Sequence, residues 1–122
     1  MRRAEFLQWF GLFAAALVWT VQHVVGFGVF VATCAPGGSR WGIPVKTWQL
    51  SLLAVGILFA LLAEAAALRV VLATRGVEED APPPHGRRHF FAVAAALANV
   101  LFLAIILMDG IGSLAFPACR PA

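Results

Sequence analysis

The sequence predicts an all-α membrane protein of three transmembrane helices, with the N-terminus cytoplasmic and the C-terminus periplasmic or extracellular. Three observations predict it. First, the 122 residues are 61% hydrophobic and only 12% charged, with a mean hydropathy of +0.88. A soluble domain of this size is about 45–50% apolar and about 25% charged. Second, the excess is gathered into three apolar blocks separated by polar segments rich in Pro and Gly. Third, the basic residues sit at the edges of those blocks and are unequally shared between the two sides. The formal charge of +3 therefore reports membrane topology and not a nucleic-acid partner, for which there is neither a basic face nor a recognition motif.

The first block runs from about residue 5 to 33, the second from about 47 to 73 and the third from about 89 to 116. A helical span needs about 20 mostly apolar residues, so each block is long enough even when tilted. Backbone groups in lipid must be satisfied within their own segment, which makes each block an α-helix. Residues 1–122 form a single three-helix unit. The start, Met1-Arg2-Arg3 before an apolar run containing Ala14-Ala15-Ala16, has features of a signal peptide. The run then continues for roughly 17 residues more, too long for a signal peptide's apolar region, so it is expected to remain as a span.

The two connections differ. CAPGGSRWGIPVK joins the first two blocks and holds two Pro and three Gly. Residues 74–88 form a cytoplasmic loop with an acidic triplet, three consecutive Pro and closing arginines. Gly76 suits a helix C-cap there. Arg2, Arg3, Arg69, Arg75, Arg87 and Arg88 fall on one side of the membrane; Arg40, Lys46 and Arg120 fall on the other. Six against three puts the N-terminus in the cytoplasm. Trp9, Trp41 and Trp48 then lie near interfaces, as an aromatic belt does.

This orientation brings the only two cysteines, Cys34 and Cys119, out on one face, in a compartment where disulfides persist. A Cys34–Cys119 disulfide is the expected state. Two free thiols and a metal-binding pair remain open, the latter without a supporting His or Met set.

Among the polar residues within the spans, Gln22 with His23, Glu64, Asn99 and Asp109 matter most. Such residues are costly in lipid and usually face protein or water. From a rise of 1.5 Å per residue, His23 lies roughly 16 Å below Cys34, and Asp109 roughly 10 Å below Phe116. They are expected to meet. Glu64, about 14 Å from Ala73, and Asn99, about 15 Å from His89, form a second expected pair. Gly26 follows Gln22 by four residues and His23 by three, so a small residue stands on their side of the helix and favours burial against protein. Gly56-x-x-x-Ala60 and Ala92-x-x-x-Ala96 fit the same rule. Thr20 and Ser51 are expected to bond to their own helix backbone.

Three functions compete for these residues. A membrane cytochrome would use His23 as a haem ligand, but the only other histidines, His85 and His89, lie at the opposite edge. An ion-coupled transporter would use Glu64 or Asp109, but no helix carries a continuous polar stripe. Small multidrug transporters place a membrane Glu early in their first helix, unlike Glu64. The remaining reading is polar fastening within the bundle or against a partner. No catalytic constellation, metal-ligand spacing or phosphate-binding Gly loop is present, and Gly26-x-Gly28 lacks the preceding strand that such a loop requires. No catalytic residue, cofactor or metal is assigned.

The pattern Gln8-Trp9-Phe10-Gly11-Leu12, Trp19, Gln22, Cys34, then Phe116-Pro117-Ala118-Cys119 resembles a group of small bacterial membrane proteins. They have about three spans and paired outer cysteines, and are often encoded beside haem–copper cytochrome c oxidase subunits. The resemblance covers most of the chain. It implies a non-catalytic accessory or assembly role at a respiratory oxidase of the bacterial inner membrane. Larger integral membrane subunits would be the partners and would hold the redox metals, with lipid around the rest. No family role carries over to His23.

Overall fold

Nothing in the three apolar blocks breaks a helix, so each helix runs until proline or a polar turn stops it. The computed structural model describes residues 2–35, 42–78, 80–117 and 119, and among them the regular structure is entirely helical. Helix α1 spans Arg2–Cys34, α2 spans Val45–Thr74 and α3 spans His85–Ala115. All three are long and apolar enough to cross a membrane. At 1.5 Å per residue each exceeds the roughly 30 Å hydrocarbon thickness, which leaves length for tilt or for ends in the headgroup region. Arg40, Trp41, Glu79, Ala118 and Arg120, all used in the sequence reading, lie outside the described residues.

The helices overrun the apolar blocks most at the start of α3. The segment 74–88, expected as a loop, is helical from His85 onward. Pro84 is the last residue before the helix, and the polar run His85-Gly86-Arg87-Arg88 continues it beyond the apolar stretch. Hydropathy marks where a helix is greasy; proline marks where it must begin. Gly76 does not act as a left-handed stop. The chain leaves α2 through Arg75 in right-handed geometry, and Gly42 is the only described glycine with positive φ.

Side-chain partners fix the topology. Gly26 and Gly11 of α1 meet Gln49 and Ala67 of α2, so these helices are antiparallel. Leu53 and Thr74 of α2 meet Gly110 and His89 of α3, again antiparallel. The result is an up-down-up bundle.

Its interior is made of small residues. Gly11, Ala15, Gly56, Ala60, Ala63, Ala66, Ala67, Ala92, Ala95 and Gly110 are buried, and among the described residues Ile106 is the one large apolar side chain fully enclosed. The large residues, among them Phe13, Leu17, Phe27, Leu61, Leu97 and Leu101, point outward. Such an arrangement suits lipid. Acyl chains are as apolar as leucine, so association comes from close backbone packing and interhelical hydrogen bonds.

Candidate functional site

Lacking water, a bundle of this kind must satisfy its interior amides against protein. Three do so in the same way, each reaching a backbone carbonyl of a neighbouring helix. Asn99 Nδ2 on α3 donates to the Gly11 carbonyl on α1 at 2.8 Å. Gln22 Nε2 on α1 donates to Ile106 O on α3 at 3.4 Å, and Gln49 Nε2 on α2 donates to Gly26 O on α1 at 3.3 Å. These bonds cross two of the three helix pairs. Smaller hydroxyls bond within their own helix: Thr20 to Ala16 O and Ser51 to Thr47 O, both at 2.8 Å, as expected for residues four apart.

Polar residues gather at two levels. Toward the N-terminal end, the Glu64 carboxyl stands against Asn99, as their depths predicted. Glu64 Oε2 and Asn99 Oδ1 are buried with no hydrogen-bond partner among the described residues. Toward the cysteine end lie Gln22, His23, Gln49, Asp109 and Ser113, around a crevice of about 170 Å³ between α1 and α3. His23 Nδ1 and Asp109 Oδ2 are 3.6 Å apart, so this expected pair also meets. Between the levels sits a dry plug of Ala15, Ala60, Ala63 and Ile106, none more than 1% exposed. It leaves no polar continuity from one level to the other.

One expectation needs correction. Gln22 and His23 were both expected to bury against protein beside Gly26. Gln22 is 4% exposed and Gly26 is buried, but the His23 side chain is 59% exposed. The reason is angular: consecutive residues point about 100° apart on a helix, so two neighbours cannot share one narrow interface. Gln22 takes the inward direction, its Oε1 lying over Gly56, where a Cβ would come within 2.9 Å of it. His23 is turned to the side, with Trp19 stacked on its ring at 5.7 Å.

Two contacts escaped the sequence reading. Gln49 lies near the start of its block, where an amide reads as interfacial; its kinship with Gln22 as an amide in an apolar run is the signal the sequence holds. At the other end, Thr74 Oγ1 is 2.8 Å from His89 Nδ1 and 2.7 Å from Val70 O. The Thr74–His89 hydrogen bond, whose direction follows the imidazole tautomer, fastens the end of α2 to the start of α3.

The sulfurs of Cys34 and Cys119 stand at disulfide-bonding distance, with Cα atoms 5.0 Å apart across 85 residues of sequence. Among the described residues there is no group of three or more His, Cys, Asp or Glu that could hold a metal ion. His85 and His89, at the start of α3, lie at the other end of the bundle from His23.

Family models, characterised proteins and solved structures were compared with the chain, and none matches it. The arrangement must therefore be interpreted on its own chemistry.

Proposed function

We propose that the chain is a non-catalytic accessory or assembly subunit of a bacterial respiratory membrane complex, a haem–copper cytochrome c oxidase, seated in the inner membrane with its N-terminus cytoplasmic and its cysteines outside. One observation carries the subunit reading. His23 and Asp109 face each other with 59% and 38% of their side chains exposed, on a lateral surface of helices long and apolar enough to span a membrane. An imidazole and a carboxylate roughly 10–16 Å below the end of a span are expensive against lipid and ordinarily face protein or water. The bundle leaves them open at its side, so a neighbouring subunit is the natural cover. The choice of an oxidase comes from the resemblance carried by Gln8-Trp9-Phe10-Gly11-Leu12 and the paired cysteines.

The test is purification of the tagged full chain from its own membranes in mild detergent. Haem–copper oxidase subunits are expected to accompany it in fixed ratio. The oxidase activity per haem of that complex is expected to be unchanged by His23→Ala, because the redox centres belong to the other subunits. Recovery as a free monomer would overturn the reading.

A further inference from the structure

The crevice beside His23 and Asp109 has a definite polarity. Three of its donors are engaged by backbone carbonyls: the Gln22 amide nitrogen by Ile106 O, that of Gln49 by Gly26 O, and the Ser113 hydroxyl by Gly110 O at 2.8 Å. Beside these amides the crevice presents the Asp109 carboxylate, the Ser113 oxygen and the His23 ring, and Asp109 is its one carboxylate. Among the described residues, His23 is the sole ion-pair partner of Asp109. On the other side of the pair, a second groove of about 370 Å³ is lined by Trp19, Ile105 and Met108 and is almost wholly apolar. The grooves run between α1 and α3, which pack on each other less extensively than either packs on α2.

Resting on the accessory-subunit reading above, we infer that this α1/α3 groove receives a transmembrane helix of the partner, and that the helix presents an arginine to Asp109. Charge complementarity chooses the occupant. A carboxylate at this depth is costly when its one partner is an imidazole that is charged only if protonated, and so is an arginine on a partner helix, so pairing relieves both and penalises wrong partners. Arginine suits the site better than lysine. Its planar fork donates to a carboxylate through two N–H groups, keeps further donors for the Ser113 oxygen, and its flat face stacks on a ring such as that of His23. The apolar groove beside the pair takes the partner's aliphatic side chains against Ile105 and Met108. The outward face of α2 offers Leu58, Leu61 and Leu68 with no such polar centre, as a lipid-facing surface does.

The experiment places a photo-crosslinking amino acid at Met108, 72% exposed, and as a control at Leu61, 51% exposed, in the full chain within its native membranes. The Met108 probe is expected to capture a subunit of the complex that co-purifies with the chain, through an apolar segment carrying an arginine within about one helical turn of the cross-link. Asp109→Asn is expected to reduce that cross-link and the co-purification on the order of tenfold or more, with Asp109→Glu retaining most of both. A thermal midpoint in detergent unchanged in Asp109→Asn shows that the variant is folded. If it is not folded, the reciprocal exchange of Asp109→Arg with the partner's arginine changed to aspartate replaces it, and restored capture supports the inference. Capture only of lipid, of a small lipophilic molecule or of a second copy from Met108 overturns it, as does a captured segment without a basic residue. If the complex co-purifies intact while Asp109→Asn changes nothing, this groove is wrong and the subunit reading stands. If no complex co-purifies, the subunit reading itself fails.

Discussion

Asn99 and Gln22 are both buried amides donating to a carbonyl of another helix, yet their geometry ranks them differently. Asn99 reaches Gly11 O at 2.8 Å, whereas Gln22 reaches Ile106 O only at 3.4 Å; each keeps an unpartnered side-chain oxygen, Asn99 Oδ1 and Gln22 Oε1. Interhelical hydrogen bonds in membranes are worth about 0.6 kcal/mol on average and up to about 2. Both substitutions remove an unpartnered oxygen, so the length of the bond lost sets the ranking: Asn99→Leu is expected to cost about 1–2 kcal/mol and Gln22→Leu less than about 0.5 kcal/mol. Reversible unfolding in mixed detergent micelles measures both, and a Gln22→Leu penalty equal to that of Asn99→Leu would refute the ranking. Depth counting was enough to pair His23 with Asp109 and Glu64 with Asn99, because a helix rises by a fixed amount per residue. It could not tell which of the adjacent Gln22 and His23 faces inward. That depends on the azimuth of the helix, which a chain apolar on all sides does not encode.

At the scale of the element, the existence of three helices was plain from the apolar blocks, since lipid permits no other local answer for a span. Their ends were less plain, because α3 begins at proline and not where the apolar stretch begins. Which small residues make close crossings was least legible, because an alanine- and glycine-rich chain offers many equivalent stripes. Gly11 and Gly28 are both mid-helix glycines of α1, and nothing in their local sequence separates them. A Cβ on Gly11 would meet the backbone nitrogen of Ala67 at 3.0 Å and its Cα at 3.2 Å, whereas one on Gly28 would meet nothing within 4 Å. Alanine in place of glycine inside a helix gains about 0.5–1 kcal/mol of backbone entropy wherever there is room. At Gly11 the obstacle is backbone, so α1 and α2 must separate at their crossing, and overpacking of that kind costs about 1–3 kcal/mol. Gly11→Ala is expected to lower the thermal midpoint in detergent and Gly28→Ala to raise it or leave it unchanged. Shifts of the same sign would show that the α1–α2 crossing is not set by the approach of Gly11 to Ala67.

For the whole molecule, the cysteines are the longest-reaching sulfur constraint that the sequence discloses, and they do so through topology. Three alternating spans put the end of the first and the end of the third on one side, and the structure brings Cys34 and Cys119 to disulfide-bonding distance there. The bond also spans the loosest of the three helix pairs, since α1 and α3 pack on each other less than either does on α2. Its effect therefore differs from that of a staple in a dense core. Cross-linking points this far apart in sequence stabilises a soluble protein by about 2–4 kcal/mol, mainly by restricting the unfolded chain. Helices already inserted in a membrane are restricted beforehand, so the stabilisation should fall at the low end of that range. Cys34→Ser is expected to lower unfolding stability by about 2 kcal/mol while leaving helix content by circular dichroism unchanged, because each span satisfies its own backbone. The change should be felt most at the cysteine end of the α1/α3 groove. Hydrogen exchange at amides near residues 30–34 and 112–116 should accelerate, while the Asn99 level, beyond the plug of Ala15, Ala60, Ala63 and Ile106, keeps its protection. Uniform acceleration along all three helices would mean instead that the bundle unfolds as one unit and that the cysteine pair holds the whole of it together, not one end.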